Sequence, residues 1–142
     1  MDKNLEVLKE VCKGVKMGMA AISYVSNKVD DDNFQNTLNH EYSMYNNILN
    51  KVEDAYSNYG KSPDDSSFKD KAMLWYGIQV NTIKDSTTTK LAELLVQGTN
   101  MGIIEGRRLI NQNPHAAEDV KGILHDFVVM QEDSVETLKK YL

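Results

Sequence analysis

Apolar residues recur every three or four positions through nearly the whole chain, and that spacing predicts helices. Leu8, Val11, Val15, Gly18, Ile22, Val25 and Val29 fall on one helical face. Phe34, Leu38, Tyr45, Ile48, Val52 and Ala55 repeat the pattern in a second helix. Between them Asp30-Asp31-Asp32 supplies a turn, an N-cap and negative charge at the start of the second helix. Tyr59-Gly60 predicts its end, because glycine suits the residue just past a helix C-terminus. Ser62-Pro63-Asp64-Asp65 reads as a restart, with Ser as N-cap and Pro in the first turn. A shorter helix follows, with Met73, Tyr76, Val80 and Ile83 on one side and Trp75 beside them. The run from Lys84 to Thr89 interrupts it, since three threonines propagate a helix poorly. Asp85 or Ser86 is placed to cap a further helix from about Thr88 to Gln112. Asn113-Pro114 predicts the start of the last helix, with Val120, Leu124, Phe127, Leu138 and Tyr141 inward.

The expected architecture is all-α. Four long helices of roughly 25 residues, about 37 Å each, form two hairpins over residues 4–59 and 87–142. Residues 60–86 form a crossover with its own short helix, and the whole chain, 1–142, reads as one domain. The hairpins resemble each other. GVKMGMAAI, from Gly14, and GTNMGIIEG, from Gly98, share Gly-x-x-Met-Gly at an offset of 84. Val7 and Val11 align with Leu91 and Leu95, and Val25 with Leu109. Leu38-Asn39-His40-Glu41-Tyr42 aligns with Ile123-Leu124-His125-Asp126-Phe127 at an offset of 85. The pattern predicts a duplicated hairpin closing on itself about an approximate two-fold axis.

Two antiparallel hairpins joined by a long crossover is the ferritin-like arrangement of a four-helix bundle. The chain resembles small bacterial ferritin-like domains in this layout, in the Trp75-containing crossover and in KLAELLVQGTNMG, Lys90 to Gly102. That stretch looks like the third helix of those domains, where a Gly-Glu pair often sits; here the pair is Gly98-Thr99. Di-iron members take one Glu from each of two helices and a Glu-x-x-His from each of the others. Here Glu41 is followed three residues later by Met44, and Asp126 by Val129. His40 and His125 precede their acids by one residue, and neighbours one apart point in different directions. The resemblance therefore implies a bundle without the di-metal ligands. The residual metal candidates are Glu41, Asp126 and Glu105; Glu41 falls in the inward series Phe34, Leu38, Glu41, Tyr45, Ile48.

Composition narrows function by exclusion. Net charge is −5 with no basic cluster, which disfavours nucleic-acid binding. Uncharged runs such as Met17 to Asn27 and Leu94 to Ile104 are too short to span a bilayer. The N-terminus has no signal-peptide pattern, so the protein is expected to be cytoplasmic. Cys12, the single cysteine, sits on an apolar face and reads as a buried thiol. No phosphate loop or nucleophile-base set is apparent. His40 and His125 read as solvated or boundary residues and His115 as a turn residue. Tyr42, Tyr45, Tyr56, Tyr59, Tyr76 and Trp75 read as aromatics closing a bundle end, with a binding patch as the alternative.

The glycines are the strongest clue. Gly98, Gly102 and Gly106 form one ridge, and Gly14 and Gly18 a shorter one. Each interior glycine costs roughly 1 kcal/mol against alanine, so a compensating gain is required. Close helix approach through Gly18 and Gly102 is the first expectation. Room for a ligand, lined by Met17, Met19, Met101 and tyrosines, is the second, and a subunit interface across the ridge is the third. The resulting expectation is a non-enzymatic, cofactor-free and metal-free helical protein that associates with itself, as a dimer, or with a partner. The alternatives are a divergent carboxylate-bridged iron or manganese protein, and a small-molecule binder using the Gly/Met-lined interior.

Overall fold

A computed structural model describes residues 2–61 and 87–142. The described residues form four helices and no strands: α1 (Lys3–Ser26), α2 (Asp32–Asn58), α3 (Thr88–Gln112) and α4 (Glu118–Lys139). The expected restart at Ser62-Pro63 and the short helix carrying Met73, Trp75, Tyr76, Val80 and Ile83 lie outside the described residues.

Local chemistry sets the helix ends. Asp2 accepts a hydrogen bond from the Asn4 N–H at 2.7 Å, and Asp31 accepts one from Phe34 at 2.8 Å. These bonds satisfy amide groups that have no partner inside the helix. Gly60, at φ 65°, ends α2 in the left-handed conformation that glycine adopts without steric cost. Thr87 caps α3 by accepting from Lys90 at 3.3 Å, in the role expected of Asp85 or Ser86, both outside the described residues.

The start of α4 is a correction. Asn113-Pro114 does not open the helix, which begins four residues later at Glu118. Asn113 instead closes α3: its Nδ2 donates to the Leu109 carbonyl at 2.9 Å. Its side chain is therefore engaged by the preceding helix. The N-cap of α4 is Ala117, which has no capping side chain, and its N–H donates to Asn4 Oδ1 of α1 at 2.9 Å.

Contacts fix the topology. The Phe34 ring, early in α2, stacks on Tyr141, just past α4, with centroids 4.7 Å apart. Lys51, late in α2, meets Asp126, early in α4, so these helices are antiparallel. Asn4 joins the starts of α1 and α4, which run parallel. Gly102 lies against Gln131 and Gly106 against Val128, so α3 is antiparallel to α4. The end of α2 and the start of α3 consequently lie at opposite ends of the bundle. α1 pairs with α2, α3 with α4, α2 with α4, and α1 also touches α3 and α4. No helix among the described residues is long and apolar enough to cross a membrane.

The core follows the apolar periodicity. Leu8, Val11, Val15, Ile22 and Val25 of α1 are buried, as are Phe34, Leu38, Tyr45, Ile48, Val52 and Ala55 of α2. Val120, Leu124, Phe127 and Leu138 complete it from α4; Gly18, Val29 and Tyr141 are half-buried. Cys12 is buried, and burial pushes its thiol pKa up, with Glu53 adding to the rise and Lys16 opposing it. An uncharged buried thiol is a poor nucleophile.

The buried positions of the two hairpins fall at two different offsets. Val7, Val11 and Ile22 match the buried Leu91, Leu95 and Gly106 at the expected offset of 84. The buried positions of α2 and α4 match at 86 rather than 85: Phe34 with Val120, Leu38 with Leu124, Val52 with Leu138. The sequence match at 85 places Glu41 on Asp126, yet Glu41 is buried and Asp126 is exposed. A one-residue change rotates a helical position by about 100°, which separates the two acids.

Candidate functional site

A cleft of about 650 Å³ opens between α1 and α3. α1 contributes Glu10, Lys13, Gly14, Met17, Gly18, Ala21 and Ile22. α3 contributes Leu95, Gly98, Thr99, Met101, Gly102, Glu105, Gly106 and Leu109. α2 and α4 close it with Glu41, Tyr45, Phe127, Gln131, Ser134 and Leu138. All five glycines singled out by the sequence border this one space, together with Met17 and Met101. Met19 packs on the core instead.

At four of these glycines a side chain of α2 or α4 occupies the place a Cβ would take. A Cβ on Gly18 would come within 2.5 Å of the Tyr45 ring, and one on Gly14 within 2.8 Å of Phe127. On α3, a Cβ at Gly106 would come within 2.5 Å of Val128, and one at Gly102 would strike the amide of Gln131. Each bare backbone thus receives a side chain from α2 or α4. Side chains at these four positions would displace these neighbours.

The inner surface of the cleft is polar at one place. Ser134 of α4 donates its hydroxyl to Glu41 Oε1 across the α2–α4 contact. Glu41 Oε2 and Gln131 Nε2 are buried and meet no hydrogen-bond partner. Glu41 is 5% exposed, Gln131 2% and Ser134 6%. Buried polar atoms are normally paired, and leaving one unpaired costs roughly 1–3 kcal/mol. Burial pushes the Glu41 carboxyl up to about 8, so at neutral pH it is mostly protonated. Thr99, at the position expected to hold a ligand Glu in ferritin-like proteins, turns its hydroxyl to the Leu95 carbonyl at 2.7 Å. Behind Glu41, on the α2–α4 face, a shallower groove carries His40, Met44 and Asp133.

The three metal candidates are not assembled. Asp126 is exposed and bound to Lys51 at 3.1 Å, and Glu105, at the cleft mouth, is bound to Arg108. Glu41 alone is buried. Among the described residues no group of three His, Cys, Asp or Glu side chains converges as a metal site would require. His40, His115 and His125 are exposed. Tyr45 and Tyr56 are buried, Tyr42 is exposed and Tyr59 half-buried, while Trp75 and Tyr76 lie outside the described residues. The aromatics on α2 therefore do not form one patch.

Gln131 and Ser134 were not singled out by sequence reasoning. The signal was present: Phe127, Gln131, Ser134 and Leu138 follow the same 3–4 spacing as the core, so both polar residues face inward. Comparison of the chain with protein-family models, with curated proteins and with solved structures finds no match.

Proposed function

We propose that this chain is a non-catalytic, ferritin-like bundle that binds a small amphipathic molecule in the cleft between α1 and α3. The observation that carries the reading is the pair of buried, unpartnered polar atoms, Glu41 Oε2 and Gln131 Nε2, on residues that line a largely apolar space. Small-molecule sites have this composition: mostly apolar walls of roughly 300–1,000 Å³ with a few placed polar groups. A ligand with a matching polar end restores the missing hydrogen bonds, and its apolar body removes the methionine and glycine surface from water. The five glycines border the same cleft, and four of them accommodate side chains of α2 and α4, among them the cleft-lining Tyr45, Phe127 and Gln131. The hairpin duplication expected from the sequence belongs to this proposal, with the two glycine ridges as equivalent walls of one cleft.

Ligand binding is preferred over self-association because a second subunit offers no specific answer to two unpaired polar atoms within the bundle. A dimer is the second reading. It is favoured by Met17 and Met101 at the cleft mouth and by Ile104 one turn further along α3, all exposed. The test is native mass spectrometry of gently purified protein beside a Leu109→Trp variant, which narrows the cleft. Ligand binding predicts a co-purifying small mass on the wild type that is lost from the variant. A monomeric mass with no adduct, together with identical affinity of both proteins for added 1-octanol, contradicts it.

A further inference from the structure

The cleft has a charge character that narrows the ligand class. Its charged lining consists of Glu10 and Lys13 from α1, Glu41 from α2 and Glu105 from α3, with none from the α4 residues that border it. Glu105 is paired with Arg108, and the formal charges of Glu10 and Lys13 cancel, which leaves Glu41 as the acid of this lining without a counter-charge in a largely apolar space. Glu41 is the member set deepest in the protein, 5% exposed, with Oε1 bonded by Ser134 and Oε2 unpartnered. Tyr45 and Gln131 line the same cleft. A buried carboxylate is stable only when a positive partner and hydrogen-bond donors compensate its lost hydration. A carboxylate oxygen with an aromatic ring nearby is a favourable setting for an alkylammonium head, whose chain seeks apolar walls.

Resting on the proposed ligand-binding role, we propose that the cleft selects organic amines, seating a primary ammonium group on Glu41 Oε2 and the apolar body along Gly102, Met17 and Met101. Binding moves one proton. The free protein holds Glu41 protonated at neutral pH, because burial pushes this carboxyl up to about 8. The arriving cation stabilises the carboxylate, and the carboxyl proton leaves to solvent. The other titratable groups around Glu41 are Glu10, Lys13, Tyr45 and Glu105 in the cleft, with His40 and Asp133 across the α2–α4 groove. None of these is buried as an unpartnered acid.

Isothermal titration calorimetry of the full chain with 1-octylamine, 1-octanol and sodium octanoate tests the inference. Titrations at pH 7 in buffers of different ionisation enthalpy count the protons. The expected result is octylamine affinity at least about tenfold above that of the other two, with close to one proton released per amine bound. The release is expected to vanish above pH 9, where Glu41 is already ionised. Glu41→Gln keeps the shape and is expected to abolish both the preference and the release while still binding octanol. Proton counting on the wild type needs no variant, so a misfolded Glu41→Gln protein leaves the test intact. Equal or tighter binding of octanol or octanoate, without proton release, overturns the amine assignment and leaves the cleft as a ligand site. Binding of none of the three overturns the ligand-binding reading itself.

Discussion

Ser134 on α4 donates its hydroxyl to Glu41 on α2, while the other oxygen of that carboxyl is buried with no partner. One acid that lines the cleft thus ties two helices together and keeps its second oxygen buried without a partner.

The first consequence concerns pH. The pKa of Glu41 is raised on folding, from an ordinary 4.5 to about 8. Between these values the folded chain holds a proton that the unfolded chain has lost. The contribution of Glu41 to stability is therefore fully present below about 4.5 and declines as pH rises towards 8, by roughly 1 kcal/mol per pH unit. Urea denaturation from pH 5 to 8 is expected to show this decline, and Glu41→Gln to flatten it. A wild-type profile that rises across this range would contradict the burial of a protonated acid.

The glycines divide into two kinds. Gly122 in α4 is exposed, and a Cβ there meets nothing within 4 Å. Gly122→Ala is therefore expected to raise stability by up to about 1 kcal/mol through helix propensity alone. At Gly18 and Gly106 the added Cβ collides with the buried Tyr45 and Val128. Overpacking of this kind costs roughly 1–3 kcal/mol, so both alanine variants are expected to melt below the wild type. Thermal unfolding of the three variants side by side separates the two cases.

The start of α4 depends on another helix. Asn4 of α1 accepts from the N–H of Ala117, the N-cap residue of α4. Asn4→Ala is expected to cost about 1 kcal/mol, and Asn4→Asp to retain most of the stability because the acceptor is kept. Chemical denaturation decides this, and a neutral Asn4→Ala would show that the bond contributes nothing.

Asp126 and Glu105 are surface residues in ion pairs, Asp126 with Lys51 and Glu105 with Arg108. Exposed pairs contribute roughly 0–1 kcal/mol. The double change Asp126→Asn with Glu105→Gln is expected to leave the melting temperature nearly unchanged and iron and manganese content unaltered. Elemental analysis showing stoichiometric metal in the wild type and its loss in the variant would restore the metal-protein alternative.

The bundle was largely legible in the sequence because burial obeys helical periodicity: the inward series of α1 and α2 holds nearly residue for residue. Glu41 was legible as an inward acid for the same reason. The start of α4 was not, because Asn113 can serve either as N-cap of the next helix or as the closing residue of the previous one, and only the contact with Leu109 decides. Gln131 and Ser134 escaped notice because polar residues in an apolar series resemble the edge of a stripe. The role of the glycines needed three dimensions. Spacing places Gly18 and Gly102 on ridges, but only the positions of Tyr45 and Gln131 reveal that those ridges receive side chains and border an open cleft.

Met17 and Met101 stand on opposite walls of that cleft, whereas Met130 is buried in the core outside its lining. Methyl NMR of protein labelled at the methionine methyl groups, titrated with 1-octanol or 1-octylamine, therefore addresses ligand binding most directly. Saturable shifts of the Met17 and Met101 resonances with an unmoved Met130 are predicted. A titration that leaves Met17 and Met101 in place, or moves all methionines alike, would contradict a binding site between α1 and α3.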